Sequence, residues 1–235
     1  MIPIIAHRTC PRDAPENSLA GIRKAAELGA DGVEIDVRRS LDGVAVLLHD
    51  RSPRRTTGLP GPVRLYPSFL LRKLPLERSE ERMPTLAEAL DTLPEALFMA
   101  VEIKDAGAAP SALRLIRERR LEGRTLMWSY REQAVRYFAK QAPEIESALL
   151  RDDTDPEGLR RFLQDATGFG AKAISAHWEA INHSFVAEAH DRGLRVYAMN
   201  RGLESVAKKI SAGLDGIVTD YPREVRAILE GTVRR

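Results

Sequence analysis

Glu34 and Asp36 are separated by one residue, as are Glu102 and Lys104; His7 is followed by Arg8 and His49 by Asp50. In an extended chain, residues two apart point to one face, so each spaced pair presents its two side chains together. Three carboxylates brought to one place repel unless they are protonated or neutralised. A divalent cation with oxygen ligands would resolve that, and hard carboxylates select Mg2+ or Ca2+ over softer metals. The competing arrangement is a metal-free one, with Glu34 paired to Lys104 or Arg8. His7 and His49 have the ordinary pKa for taking up and handing on a proton near neutral pH. A lone histidine is more often structural, but two beside three acids favour acid–base work. Arg8 and Lys104 supply fixed positive charge of the kind that grips phosphate oxygens, or else they merely neutralise the acids. A dication, two imidazoles and two cations together match the needs of phosphodiester cleavage, which requires a base for the nucleophile and an acid for the departing alkoxide.

Such a constellation needs a scaffold that brings distant stretches to one rim. Short Val- and Ile-rich runs at 2–6, 32–37, 98–104, 124–129, 146–150, 172–176, 194–199 and 215–219 read as strands. Segments of helical spacing follow them, at 17–28, 85–93, 111–120, 131–141, 156–166, 183–192, 203–212 and 222–230. Eight strands, each followed by a helix, predict an α/β protein, a closed (β/α)8 TIM barrel. No Gly-x-Gly-x-x-Gly turn follows the first strand, which weakens a dinucleotide-binding reading. In this barrel the active site lies at the C-terminal strand ends. The candidate residues stand there, with Asp220 after the eighth strand.

The apolar run 44–48 does not fit the count of eight. It follows the second strand after Ser40-Leu-Asp-Gly43, and Asp-Gly between apolar runs is a hairpin signal. A two-residue turn at Asp42-Gly43 pairs Leu41 with Val44 and sets Asp36 opposite His49. Residues 38–49 therefore read as a β-hairpin beyond the second strand rather than a ninth barrel strand. The Pro-, Arg- and Gly-rich stretch 51–84 is a long connection, expected to cap the barrel mouth. Its Leu59, Leu65, Tyr66, Phe69, Leu70 and Leu71 could line a lipid groove or fold onto the barrel; folding is favoured.

The remaining composition is ordinary. The chain has 235 residues, 43% hydrophobic and 30% charged, with a net charge of +2. So near a balance gives no case for a nucleic-acid surface, although a local basic pocket could still bind an anion. The N-terminus lacks the pattern of a secretory signal and no run approaches a membrane span, so a cytoplasmic protein without stable membrane insertion is expected. Cys10 is the only cysteine, and no base or helix N-terminus is evident to activate it. His177, His183 and His190 lack acidic company and read as structural or surface residues, His177 least securely.

Several stretches together resemble the glycerophosphodiester phosphodiesterase family: Ala6-His-Arg8, Ala14-Pro-Glu-Asn-Ser18, Gly32-Val-Glu-Ile-Asp-Val37, Leu48-His-Asp50, Thr56-Thr-Gly58, Met83-Pro-Thr-Leu86, Val101-Glu-Ile-Lys104 and Asp215-Gly-Ile-Val-Thr-Asp-Tyr-Pro222. The resemblance runs from residue 4 to about 225 and implies one barrel domain over 1–235 with a small insertion after the second strand. It implies metal ligation by Glu34, Asp36 and Glu102, acid–base work by His7 and His49, and phosphate contacts from Arg8 and Lys104, with a glycerophosphodiester as substrate. Two departures bear on substrate choice. Thr9 stands where the family usually has Gly, and Tyr197 where it often has Trp, so the aromatic expected to line the glycerol pocket is smaller. Lysophospholipase D-like activity and a catalytically silent phosphate-binding barrel are the competing readings.

Overall fold

A computed structural model describes residues 2–77, 79–200 and 202–233. In chain order it contains β1 (Ile4–Ala6), α1 (Leu19–Glu27), β2 (Gly32–Arg39), β3 (Ala45–Leu47), α2 (Arg54–Thr57), α3 (Ser68–Leu71), α4 (Leu86–Thr92) and β4 (Phe98–Ile103). Then follow α5 (Ala109–Glu118), β5 (Thr125–Ser129), α6 (Glu132–Gln141), β6 (Glu146–Arg151), α7 (Pro156–Phe169) and β7 (Ala173–His177). The last elements are α8 (His183–Asp191), β8 (Arg195–Asn200), α9 (Val206–Ile210), β9 (Gly216–Thr219) and α10 (Pro222–Val233). Each helix of the barrel packs an apolar stripe on the strands, and side chains close several N-termini: Ser18 on α1, a Thr85–Glu88 capping box on α4, Asp155 on α7 and Asn182 on α8.

The strands run in the order β1-β9-β8-β7-β6-β5-β4-β2, all parallel, and β1 also pairs with β2. That pairing closes the predicted eight-stranded barrel. Alternation along the strands turns Ile5, Ala100, Trp128, Ala148, Tyr197 and Val218 into the interior, where they form one buried cluster. Trp128 and Tyr197 meet there with ring centroids 5.0 Å apart. The opposite strand faces meet the helices in two larger clusters.

β3 lies antiparallel on β2, outside the closed ring, as the hairpin reading expects. Its register differs by one residue. Val37 pairs with Leu47 and Arg38 with Val46, so Asp36 faces Leu48 rather than His49. The loop holds three residues, not two: Ser40 and Val44 close it, and Gly43 takes the left-handed φ of 82° that such a loop needs. The predicted helix at 203–212 is also shorter, because Ser205 has φ 61° and cannot continue an α-helix; the helix begins at Val206.

The 51–84 stretch is not structureless. Besides α2 and α3 it forms a 3-10 turn at Val63–Leu65. Val63, Leu71, Leu76 and Met83 bury themselves against Val46 and Leu48 of the hairpin. Of the six apolar residues singled out above, Leu71 is buried and Leu59 and Tyr66 pack on this cluster, whereas Leu65 and Phe69 are exposed. The segment is thus anchored on the hairpin.

Candidate active site

His7, Lys104 and Asp220 directly follow β1, β4 and β9, and the three carboxylates converge. Glu34, Asp36 and Glu102 are each more than nine-tenths buried. One oxygen from each lies within 4.8 Å of the others. The cause is local: Asp36 and Glu102 are register partners on β2 and β4, and Glu34 is the next inward residue below Asp36. Burial, with Asp36 and Glu102 adding repulsion, pushes the Glu34 carboxyl well above its usual range. Burial, opposed by Lys104 and aided by Asp36, takes Glu102 up to about 7. Burial would raise Asp36 too, but Lys104, His49 and Arg8, with a hydrogen bond from Asn17, hold it below the usual range.

Lys104 lies between the acids, its Nζ 2.6 Å from Glu102 and 3.0 Å from Asp36. Burial alone would depress its pKa; Asp36, Glu102 and Glu34 keep it raised. The Arg8 backbone N–H donates to Glu34 Oε2 at 2.8 Å. This leaves Glu34 Oε1 buried and without a hydrogen-bond partner among the described residues. An orphaned carboxylate oxygen beside two further carboxylates is the donor set a hard divalent cation requires, so these residues fit the metal expected from the sequence. Elements of the metal-free alternative are present as well, since Lys104 and Arg8 both touch the cluster.

The Arg8 guanidinium faces Glu16 at 3.5 Å and, through Nε, Asp36 at 3.7 Å; that Nε is buried and has no hydrogen-bond partner among the described residues. Its backbone begins a left-handed run, with φ 42° at Arg8, 64° at Thr9 and 72° at Cys10. Thr9 holds this conformation despite its β-branch, and its Oγ1 accepts the Ser18 N–H at 3.3 Å. Cys10 is buried, and burial with Asp13 nearby pushes its thiol up to about 12, which makes it a poor nucleophile.

Both predicted histidines are held at Nδ1 by a carboxylate. His7 meets Asp220 at 2.7 Å, across the β1–β9 junction. His49 meets Asp50 at 2.8 Å. A carboxylate only accepts, so in the neutral ring Nδ1 carries the proton and Nε2 the free lone pair. Burial, only partly offset by Asp36, lowers the His49 pKa. Despite the shifted hairpin register, His49 therefore still feels the acid cluster.

Several residues were not legible as site residues from sequence. Asn17 donates to Asp36 Oδ2 at 2.8 Å and accepts the Asp36 N–H at 2.9 Å, fixing one ligand candidate on both sides. Buried Glu16 accepts from both Arg55 Nη atoms, at 2.6 and 2.8 Å, while Arg55 Nε donates to Asp50 at 2.8 Å. The 51–84 segment thereby reaches the site through one arginine. The only sequence signal for Glu16 and Asn17 was their membership of the Ala14–Ser18 stretch.

A cavity of about 840 Å³ opens over the cluster, lined by Glu34, Glu102, Trp128, Tyr130, Trp178, Asn200 and others. Tyr197 does not line it. It is fully buried one inward position deeper on β8, below Met199, and its hydroxyl donates to Glu146 at 2.8 Å. Tyr197, expected among the substrate contacts, therefore lies beneath the cavity and not on its wall: alternation gave its face but not its depth. His177 does reach the cavity wall, while His183 and His190 are exposed on α8.

A family model described as the glycerophosphoryl diester phosphodiesterase family matches residues 7–224. A glycerophosphodiester phosphodiesterase of Caldanaerobacter subterraneus is 30% identical over 233 residues, covering 93% of this chain and 94% of that protein. Among solved structures, a phosphodiesterase of Oleispira antarctica in complex with the product sn-glycerol 3-phosphate aligns with a TM-score of 0.85 at 25% identity, covering 97% of each chain. A glycerophosphodiester phosphodiesterase from Agrobacterium tumefaciens aligns with a TM-score of 0.83 at 25% identity, over 97% of this chain and 100% of that one.

Proposed function

The chain belongs to the glycerophosphoryl diester phosphodiesterase family and is a phosphoric diester hydrolase, and on that premise we propose that it cleaves glycerophosphodiesters to sn-glycerol 3-phosphate and an alcohol. Glu34, Asp36 and Glu102 would hold a divalent cation, Mg2+ or Ca2+, that offsets negative charge developing on the phosphoryl oxygens. Arg8, through an Nε that makes no hydrogen bond among the described residues, and Lys104 bind the same oxygens and orient the ester. His7 and His49 exchange protons through Nε2, because Asp220 and Asp50 occupy the other ring nitrogens. One imidazole takes the proton of the glycerol hydroxyl next to the ester as that oxygen attacks phosphorus. The other protonates the departing alkoxide. Water then opens the resulting cyclic phosphate with the proton roles reversed.

The observation that carries this reading is the buried carboxylate trio with its unpartnered Glu34 oxygen, beside histidines whose Nε2 atoms have no hydrogen-bond partner among the described residues. The test is release of sn-glycerol 3-phosphate from glycerophosphoethanolamine. Activity is expected with Mg2+ or Ca2+ and should vanish on chelation and in Glu34→Gln and Asp36→Asn, with circular dichroism unchanged. Turnover retained by either variant would refute the metal assignment.

A further inference from the structure

On the hairpin side of the mouth a second cavity, of about 340 Å³, is lined by Arg38, Arg39, Arg51, Arg64, Arg131 and Lys104, with Asp105 as its only carboxylate. These side chains come from five separate parts of the chain: the end of β2, the segment after His49, the 3-10 turn at Val63–Leu65, the end of β4 and the end of β5. None of the five arginines forms an ion pair with a carboxylate among the described residues. Elsewhere the molecule pairs its arginines freely, for example Arg119 with Asp91 and Arg226 with Asp31. The net charge of +2 shows that this concentration is local and not a property of the whole chain. Arg38 spends its Nε and one Nη on the backbone carbonyl of His49, which ties the groove to a candidate catalytic loop. Lys104 joins groove and site directly, since its ammonium touches Asp36 and Glu102 while its side chain forms part of the groove wall. Like charges gathered around a concave space repel one another until an anion enters. The size suits a small polar moiety, and guanidinium groups match phosphate oxygens in geometry as well as charge.

We propose that this arginine groove is a binding site for the alcohol portion of the substrate when that alcohol carries its own phosphate. The inference rests on the phosphodiesterase reading above and names a preferred substrate class for the same site. The scissile phosphate lies at the carboxylate cluster, and the alcohol leaves across Lys104 with its second phosphate held by Arg51, Arg64 and Arg131.

The test compares kcat/KM for glycerophosphoinositol 4-phosphate and glycerophosphoethanolamine in the native chain and in Arg51→Ala/Arg64→Ala. The native chain should favour the phosphorylated substrate by at least about tenfold, the worth of one charge-assisted hydrogen bond, and the ratio should fall towards one in the double variant. A ratio near one in the native chain, or one that the substitutions leave unchanged, would overturn the proposal while leaving the phosphodiesterase reading intact. Isothermal titration with inositol 4-phosphate, which has no scissile bond, reads the groove without turnover. Binding that is lost in the double variant supports the site even if neither ester is cleaved, an outcome that would fall on the phosphodiesterase reading alone. Equal binding to both chains would count against it. Inorganic phosphate binding as tightly as inositol 4-phosphate would make this a free-phosphate site instead, and adsorption to phosphatidylglycerol vesicles without any substrate preference would make it a membrane contact; either result overturns the proposal.

Discussion

On the proposed mechanism Asp50 and Asp220 would act on the substrate only through the rings they hold. His7→Ala and His49→Ala should each lower the rate by at least about 10²-fold, the usual worth of positioned acid–base catalysis. Asp50 sits between His49 and Arg55, and those hydrogen bonds outweigh its burial and keep its carboxyl near 2, hence ionised through the neutral range. Asp50→Asn should reduce kcat more than it alters KM. In a His49→Ala background the same substitution should cost little further, because its effect passes through the imidazole. Additive losses in that double-mutant cycle would show that Asp50 works by another route. The residues in contact with the acids were legible in sequence because their spacing on extended chain fixes a shared face. Glu16, Asn17 and Arg55 were not. Glu16 and Arg55 meet across 39 residues of chain, and no local periodicity carries information about such a pairing.

At the scale of elements, alternating apolar runs and helical segments specified the barrel, because each strand must bury both faces and each helix one stripe. What they left open was register. Asp-Gly suggested a two-residue turn, but Ser40 Oγ accepts the Val44 N–H and bonds Asp42, which stabilises a three-residue loop and shifts every pair by one. Tyr197 shows the same kind of limit along the barrel axis. The hairpin tip also fastens the 51–84 segment, since Asp42 accepts from both the N–H and the hydroxyl of Ser68. The hydrogen bond from Ser40, with those from Ser68, lowers the Asp42 pKa to about 2 against a slight opposing effect of burial. A depressed folded-state value means stabilisation that is present above the unfolded pKa and lost as pH falls towards 2. Asp42→Ala should therefore melt below the native chain near neutral pH, and the gap should close between pH of about 4 and about 2. A gap that persists at pH 2 would place the effect elsewhere.

For the molecule as a whole, the acid cluster opposes its own burial, and a bound dication would convert that opposition into stability. Saturating Mg2+ or Ca2+ at about 100 times Kd should add about 2.7 kcal/mol, which for a chain of this size raises Tm by roughly 5–10 °C. Differential scanning calorimetry should show this in the native chain and not in Glu34→Gln/Asp36→Asn; equal shifts in both would place the cation elsewhere. The same traces should show one cooperative transition, as expected of a barrel closed by β1 against both β2 and β9. Among the described residues no helix is long and apolar enough to cross a membrane. The β1–β9 junction also joins distant parts of the chain. His7 precedes every barrel strand but the first, and Asp220 follows all of them. A chain truncated before Asp220 would leave the His7 ring without the carboxylate that holds it, so on the proposed mechanism it should be inert.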